Sequence, residues 1–417
     1  MSFVKSENRT FLANASFLAL MQAANSFLPL LTVPFLVRVL GVELFGQLAF
    51  ATAVMYYFFV LSDYGFNLTA TRDISINRFD AAKVNEIYTC VFFIKTVLIV
   101  ISFVFLLMMF LLFPSFLKDW PLYLFSFFVI VGQSLFPTWF FQGMEKMKYI
   151  TYLSVSAKIF FTLGIFVFVA GPDDYLFVPI LTALGFLFST SYAMYLIHYK
   201  YAVSFQALSW GAVKKHVIDG WYVFLSQMKI TLFSSTNVVI LGVMIGPVAV
   251  GYYVAAEKIM RALALAQTPI TGALFPLIAN KMVKDKSAAI RKLKKIAYVG
   301  SALYLCVLGV GYFLSDYIIH LLYGDELQAS AWVLKVMLVI PVLIFLNNIF
   351  GTQILLNTGR EKHFFYVLLV AAILSLVLCF SLTYFFSYQG TTIALLVTEV
   401  FVMLAFWVLV YKDWMDA

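Results

Sequence analysis

The groups in this sequence that could do chemistry are ionisable residues standing inside otherwise apolar stretches. They are Lys95, Lys158 and Lys229, the run Glu257, Lys258 and Arg261, and the acids Asp63 and Glu399. A charge at the centre of a bilayer costs about 2.5 to 3.5 kcal/mol on insertion scales, so each asks for a reason. Ammonium and guanidinium groups compensate the charge of a phosphate and lower the cost of bringing it through a low-dielectric interior. Cations outnumber acids here, so the expected chemistry is the binding of an anion at Lys95, Lys158, Lys229, Lys258 and Arg261. Glu257 and Arg261 are four residues apart and can pair along one helix face, which leaves Lys258 uncompensated. Glu399, Asp63 and Glu257 could instead hold a coupling proton or sodium ion, because a buried carboxylate changes its charge with occupancy. The competing reading is that a lysine snorkels to the interface or pairs inside the bundle, and that Glu399 is such a packing partner.

Covalent catalysis finds no support. Cys90, Cys306 and Cys379 lie far apart in apolar stretches and read as small core hydrophobes, with no metal-ligand spacing. His198, His216, His320 and His363 stand singly near the expected membrane edges. No Gly-rich phosphate loop, paired metal ligands or nucleophile triad is present, so neither a cofactor nor a metal is expected.

The elements that must position these charges are membrane helices. The chain is 63% hydrophobic and 12% charged, with a mean hydropathy of +0.97, which no aqueous fold could hide. A crossing helix needs about 20 apolar residues. Such runs are expected at 11–40, 43–66, 85–113, 120–142, 147–169, 175–197, 220–245, 251–279, 295–315, 330–357, 363–385 and 389–411. The fold class is therefore all-α, a polytopic membrane protein of twelve transmembrane helices in two pseudo-symmetric six-helix bundles. At 1.5 Å per residue, Lys95, Lys158 and Lys229 lie roughly 15 Å from the cytoplasmic ends of their spans, near the midplane.

Lysine and arginine sort to one side. Lys5, Arg9, Arg72, Arg78, Lys83, Lys146, Lys148, Lys200, Lys214, Lys215, a cluster from Lys281 to Lys295, and Arg360, Lys362 and Lys412 share alternate loops. The opposite loops carry Lys118 and Arg38 beside seven acids. The positive-inside rule then places both termini in the cytoplasm. It also accounts for the formal net charge of +8 without nucleic acid. The cluster from Lys281 to Lys295 reads first as a topology determinant and second as a seat for anionic headgroups.

A shift of 205 residues sets Gln22 on Gln227, Gly41 on Gly246, Gly46 on Gly251, Ala51 on Ala256 and Met55 on Met260. A shift of 216 sets Gly143, Glu145 and Lys146 on Gly359, Glu361 and Lys362. Both matches join helices six apart, so the halves run in the same direction across the membrane, as a parallel repeat. Transporters built this way carry their substrate path between repeats that rock. The expected organisation is an N-terminal six-helix lobe at 1–199, a cytoplasmic interfacial linker at 200–219 and a C-terminal six-helix lobe at 220–417.

Four segments carry a resemblance: NASFLALMQAANSFLPLLTVPFLVRVLGVELFGQLAFA, DYGFNLTATRDIS from Asp63 to Ser75, PTWFFQGMEKMKYIT from Pro137 to Thr151, and LFPLIANKM. With these the chain resembles the polysaccharide-biosynthesis flippases of the multidrug/oligosaccharidyl-lipid/polysaccharide exporter superfamily, in particular the O-antigen repeat-unit translocases. The resemblance implies a flippase that carries an undecaprenyl-pyrophosphate-linked oligosaccharide from the cytoplasmic to the periplasmic leaflet of a bacterial inner membrane. It implies other polysaccharide-assembly proteins as partners, besides the membrane lipids. The cations named above are those that fit the pyrophosphate by depth and charge. A multidrug or cation antiporter of the same superfamily is the alternative, and an acid-dominated interior would be expected of it. A membrane enzyme acting on the same lipid carrier would need a long outward segment, and the longest here, 315–329, is short.

Overall fold

The computed structural model describes residues 2–416, with the side chains of residues 14, 16, 17, 20–24, 27–228, 231, 235–268, 270–272 and 274–416. Among them the chain is helical, with no strand. The helices are α1 (Ser2–Asp63), α2 (Phe66–Asn77), α3 (Ala81–Leu112), α4 (Pro114–Lys118), α5 (Trp120–Leu135), α6 (Thr138–Gly143), α7 (Met147–Phe168) and α8 (Phe177–Lys200). After the 200–209 stretch follow α9 (Trp210–Ser234), α10 (Thr236–Met244), α11 (Pro247–Leu265), α12 (Thr268–Lys284), α13 (Lys286–Phe313), α14 (Ser315–Tyr323), α15 (Ser330–Met337), α16 (Ile340–Asn347) and α17 (Glu361–Met415).

Among the described residues eight helices are long and apolar enough to cross a membrane, or up to nine if the bent pair Pro247–Gly272 and Leu274–Lys284 is one span. The chain is therefore a polytopic membrane protein. Two of these helices exceed what a hydrocarbon core of roughly 30 Å can hold. α1 has 62 residues and breaks at Gly41, with φ 78 and ψ 170. α17 has 55 residues and breaks at Ser387, with φ 54 and ψ −141. At Ser387 the chain doubles back, because Thr383 and Thr391 touch hydroxyl to hydroxyl at 2.7 Å. Eight residues of straight helix would hold them about 12 Å apart. The span expected at 220–245 falls on α9 and α10, and the side chains of residues 229, 230 and 232–234 within it lie outside the described residues. Lys214, Lys215, Asp219 and Lys229 load α9 with charge.

The chain packs as two compact units, residues 1–32 with 51–232 and residues 33–50 with 233–417. The core of the first is aromatic, with Phe66, Tyr88, Phe140 and Phe141 almost wholly enclosed. That of the second is mainly aliphatic, built on Ile278, Leu293, Ile349, Ile354 and Phe406. Cys90 and Cys379 are buried as expected, whereas Cys306 is exposed on α13.

The 205-residue repeat reappears as geometry inside the second unit. Gly41 and Gly246 share one backbone conformation, φ 78 with ψ 170 and φ 115 with ψ −179. Positive φ combined with ψ near 180° is open to glycine and to almost nothing else. The second glycine of each turn then lets the two turns cross. A Cβ on Gly46 would stand 1.9 Å from the carbonyl oxygen of Pro247, and one on Gly251 would stand 2.6 Å from that of Val42. Adding 205 to 46 and 42 gives 251 and 247, so each contact is the other's counterpart in the repeat. Beside the crossing, the Arg38 guanidinium donates to the carbonyls of Leu321 and Leu322 at the end of α14.

The 216-residue match needs a correction. Lys146 N–H closes its turn on Phe141 O at 2.8 Å, and Arg360 N–H closes its own on Leu355 O at 2.9 Å. The left-handed residue before each bond is Glu145 (φ 56) or Gly359 (φ 71). The structural shift is thus 214, because the backbone repeats a bond and not the letters G-x-E-K.

Gly46→Ala and Gly251→Ala are expected to destabilise the purified protein by about 1 to 3 kcal/mol or more, since the new methyl meets backbone that cannot turn aside. Gly309, which has nothing within 4 Å of an added Cβ, should tolerate alanine. Thermal melting in detergent compares the three.

Candidate functional site

Six of the eight sequence-predicted charges, Asp63 and Lys95 in the first unit and Glu257, Lys258, Arg261 and Glu399 in the second, gather in two places. In the first unit Asp63 ends α1, and Tyr64 and Gly65 then take positive φ before α2 begins. Lys95 arrives from the middle of α3 and is 2% exposed. Its ammonium donates to Asp63 Oδ1 at 2.8 Å and to the backbone oxygen of Ser134 at 2.8 Å. Asn67 Nδ2 donates to the same carboxylate oxygen at 2.9 Å. The Ser134 carbonyl is available for a local reason. Pro137 breaks the helix between α5 and α6, and the Thr138 N–H that would have capped Ser134 bonds Phe136 O instead.

Lys95 and Asp63 thus satisfy each other, which is the pairing that competed with the anion-binding reading. A buried ion pair of this kind is strongly destabilised when one partner alone is removed.

In the second unit Glu257, Lys258 and Arg261 stand on α11 as the spacing implied. Arg261 reaches Glu257 Oε1 with Nε at 3.0 Å and Nη2 at 2.7 Å, and Glu257 is buried. Lys258 is exposed. Among the described residues it makes no hydrogen bond and no ion pair within 4 Å, while Glu257 and Arg261 act on it electrostatically. Glu399, buried on the second arm of α17, accepts a hydrogen bond from Asn347 Nδ2 at 2.8 Å and feels the charge of Arg261. One cluster therefore collects two cations, two carboxyl groups and an amide from α11, α16 and α17. With both acids ionised its formal charge is zero. Neutralising Glu399, or seating a cation beside it, tips the cluster to net positive.

Lys158 is half-buried on α7. The side chain of Lys229 lies outside the described residues. Sequence reasoning missed the uncharged partners Asn67, Asn347 and the Ser134 carbonyl. It also missed a π-helical turn over Asn348–Leu355. There Gln353 Nε2 donates to Thr271 O at 3.0 Å and to Asn348 Oδ1 at 3.2 Å. The amides of NNIFGTQILLN, unusual in an apolar helix, were the available signal. At the edge of the first unit His216 is buried against Asp73 at 3.4 Å. Among the described residues no group of three or more His, Cys, Asp and Glu could hold a metal ion.

Residues 11–282 match the family described as polysaccharide biosynthesis protein. A protein of Escherichia coli named as an O-antigen transporter is 35% identical over 391 residues, 93% of this chain and 93% of its own. A protein of Shigella dysenteriae with the same name is 27% identical over 94% of this chain and 98% of its own. Among solved structures, the lipid II flippase MurJ in an inward closed conformation shares the fold at a TM-score of 0.67 and 12% identity, covering 97% of this chain and 89% of that one. An inward-facing multidrug resistance MATE family transporter of the MOP superfamily does so at 0.68 and 14% identity, covering 93% and 94%.

Lys95→Met is expected to cost about 3 to 5 kcal/mol by leaving Asp63 buried and alone. Lys95→Met combined with Asp63→Leu should recover most of that loss. Membrane abundance and melting temperature of the two variants check the pairing, and equal losses would contradict it.

Proposed function

The chain belongs to the polysaccharide biosynthesis protein family, and from that premise we propose that it is a flippase for a lipid-linked oligosaccharide. The cargo is an undecaprenyl-pyrophosphate-linked repeat unit of the O-antigen kind, moved from the cytoplasmic to the periplasmic leaflet of a bacterial inner membrane by alternating access. The reading that both termini lie in the cytoplasm goes with it. No covalent bond is made or broken. The observation that carries the proposal within the family is the α11 cluster, where Lys258 adds a second cation, without a hydrogen-bonded counter-charge among the described residues, beside the Glu257–Arg261 pair.

A diphosphate carries its charge on oxygens that a lysine and an arginine can share, Arg261 by its planar fork and Lys258 as a point charge. Arg261 can serve the anion only by loosening its hold on Glu257, so the carboxylate competes with cargo. That competition supports release as well as capture, which a carrier needs on its two sides. Glu399 is placed to respond to the exchange. A proton or sodium ion there offsets its charge, strengthens the net positive field at Arg261 and so favours the anion. Lys158 and Lys229 are proposed as further contacts along the passage. Lys95 takes part through Asp63, as a pair that fixes α1 against α3.

The acids of the same cluster, together with the fold shared with a multidrug transporter, keep the cation antiporter as the second reading. In a deletion strain, loss of surface polysaccharide with lipid-linked repeat units held on the cytoplasmic leaflet supports the flippase. Normal surface polysaccharide with altered drug tolerance supports the antiporter.

When the deletion strain is complemented, Lys258→Ala should cut export about tenfold or more with membrane abundance unchanged, whereas Arg261→Ala, which leaves the buried Glu257 without its partner, should lower abundance as well as export. The loss of one charge-assisted contact of roughly 1.5 to 3 kcal/mol sets that scale. Surface polysaccharide measured against protein level decides it.

A further inference from the structure

Among the apolar helices α13 is the least enclosed, with 11% of its apolar window buried. It packs by one face only, through Ala289, Ile290, Leu293, Ala297 and Leu308. Its other face is ordered along the helix axis. Lys292 and Lys295 lie at the cytoplasmic end, then Tyr298 and Val299, then Leu303 and Cys306, all exposed. The spacing of three or four residues keeps them on one stripe. The basic residues at the start of this helix are also divided in role. Lys286 pairs with Asp413 at 2.5 Å, and Lys294 lies over the Trp414 ring at 5.8 Å, so both tie α13 to the end of α17. Lys292 and Lys295 have no hydrogen bond or ion pair among the described residues, and Asp285 spends its carboxylate capping Ala288 N–H. A topology signal requires only that basic residues lie on one side. It does not require that they sit directly above a tyrosine and an open aliphatic track.

We propose that the outer stripe of α13 binds an anionic bilayer phospholipid, with its phosphate at Lys292 and Lys295, its glycerol level at Tyr298, and an acyl chain along Val299, Leu303 and Cys306. Two ammonium groups with no protein counter-charge complement one phosphate. The aromatic ring lies where headgroup and hydrocarbon meet, and the side chains beyond it are apolar over the depth of a leaflet. The site holds whether or not the chain carries an oligosaccharide, since it requires only insertion in a membrane.

Cys306 gives the test its probe. It is the one exposed cysteine of three, and it lies eleven residues beyond Lys295, about 16 Å deeper at 1.5 Å per residue. Bimane attached there is quenched by bromine on a neighbouring acyl chain. In vesicles of mixed composition, brominated phosphatidylglycerol should quench better than brominated phosphatidylcholine, with an apparent preference of about fivefold for each of the two lysines, the share one lysine supplies near a membrane surface. Raised salt should weaken the preference in the unaltered sequence. Lys295→Gln, and Lys292→Gln with it, should bring it close to unity, while Lys362→Gln on another cytoplasmic segment should leave it as it was. Equal quenching by the two lipids overturns the proposal, as does a preference that survives both substitutions. Quenching relieved by a polyprenyl diphosphate but not by phosphatidylglycerol would assign the stripe to that lipid instead. Self-quenching between labels would assign it to a second copy of this chain.

Discussion

A charge carried into hydrocarbon must be met there by a counter-charge or a polar atom, and this constraint shapes both units. Lys95 is met by Asp63 and by a carbonyl that Pro137 releases from its helix. Arg261 is met by Glu257, one turn away on its own helix. The two solutions differ in what they leave available. The first is enclosed and complete, so it fastens three helices together. The second keeps a cation exposed beside it, with Glu399 near enough to alter the balance. The same element of cost therefore gives structure in one unit and a candidate binding site in the other.

How much of this was legible depended on how far apart in sequence the partners lie. Glu257 and Arg261 are bound by helix geometry, and their pairing could be read from spacing alone. Asp63 and Lys95 are joined only by the packing of α1 on α3, so each was assigned by depth to a different role. The repeat marked the two glycine turns but not that they cross; Gly41 and Gly246 take the backbone angle, and Gly46 and Gly251 allow the close approach. The second repeat misled by two residues, since its letters matched while the bond that matters sat elsewhere. The π-helical turn at Asn348–Leu355 had no signature beyond a few amides, because an added residue per turn is a property of the backbone in its tertiary setting.

The cations divide further by what surrounds them. Arg261 meets a carboxylate within α11, Lys286 and Lys294 at the start of α13 tie to the end of α17 while Lys292 and Lys295 face outward, and Arg38 is spent on the carbonyl end of α14. Net charge thus misrepresents the chain. What distinguishes one lysine from another is whether its ammonium has a partner inside the protein, and Lys258, Lys292 and Lys295 are among those that have no hydrogen bond or ion pair among the described residues.

The central claim is that α11 carries an anion. Purified protein in sealed vesicles, loaded with a polyprenyl diphosphate-linked oligosaccharide or with the same oligosaccharide joined to the lipid by an uncharged link, measures it directly. The account predicts that the diphosphate form crosses and the uncharged form does not, and that Lys258→Gln slows the crossing. Equal crossing of the two forms, or a rate unchanged by Lys258→Gln, would contradict it.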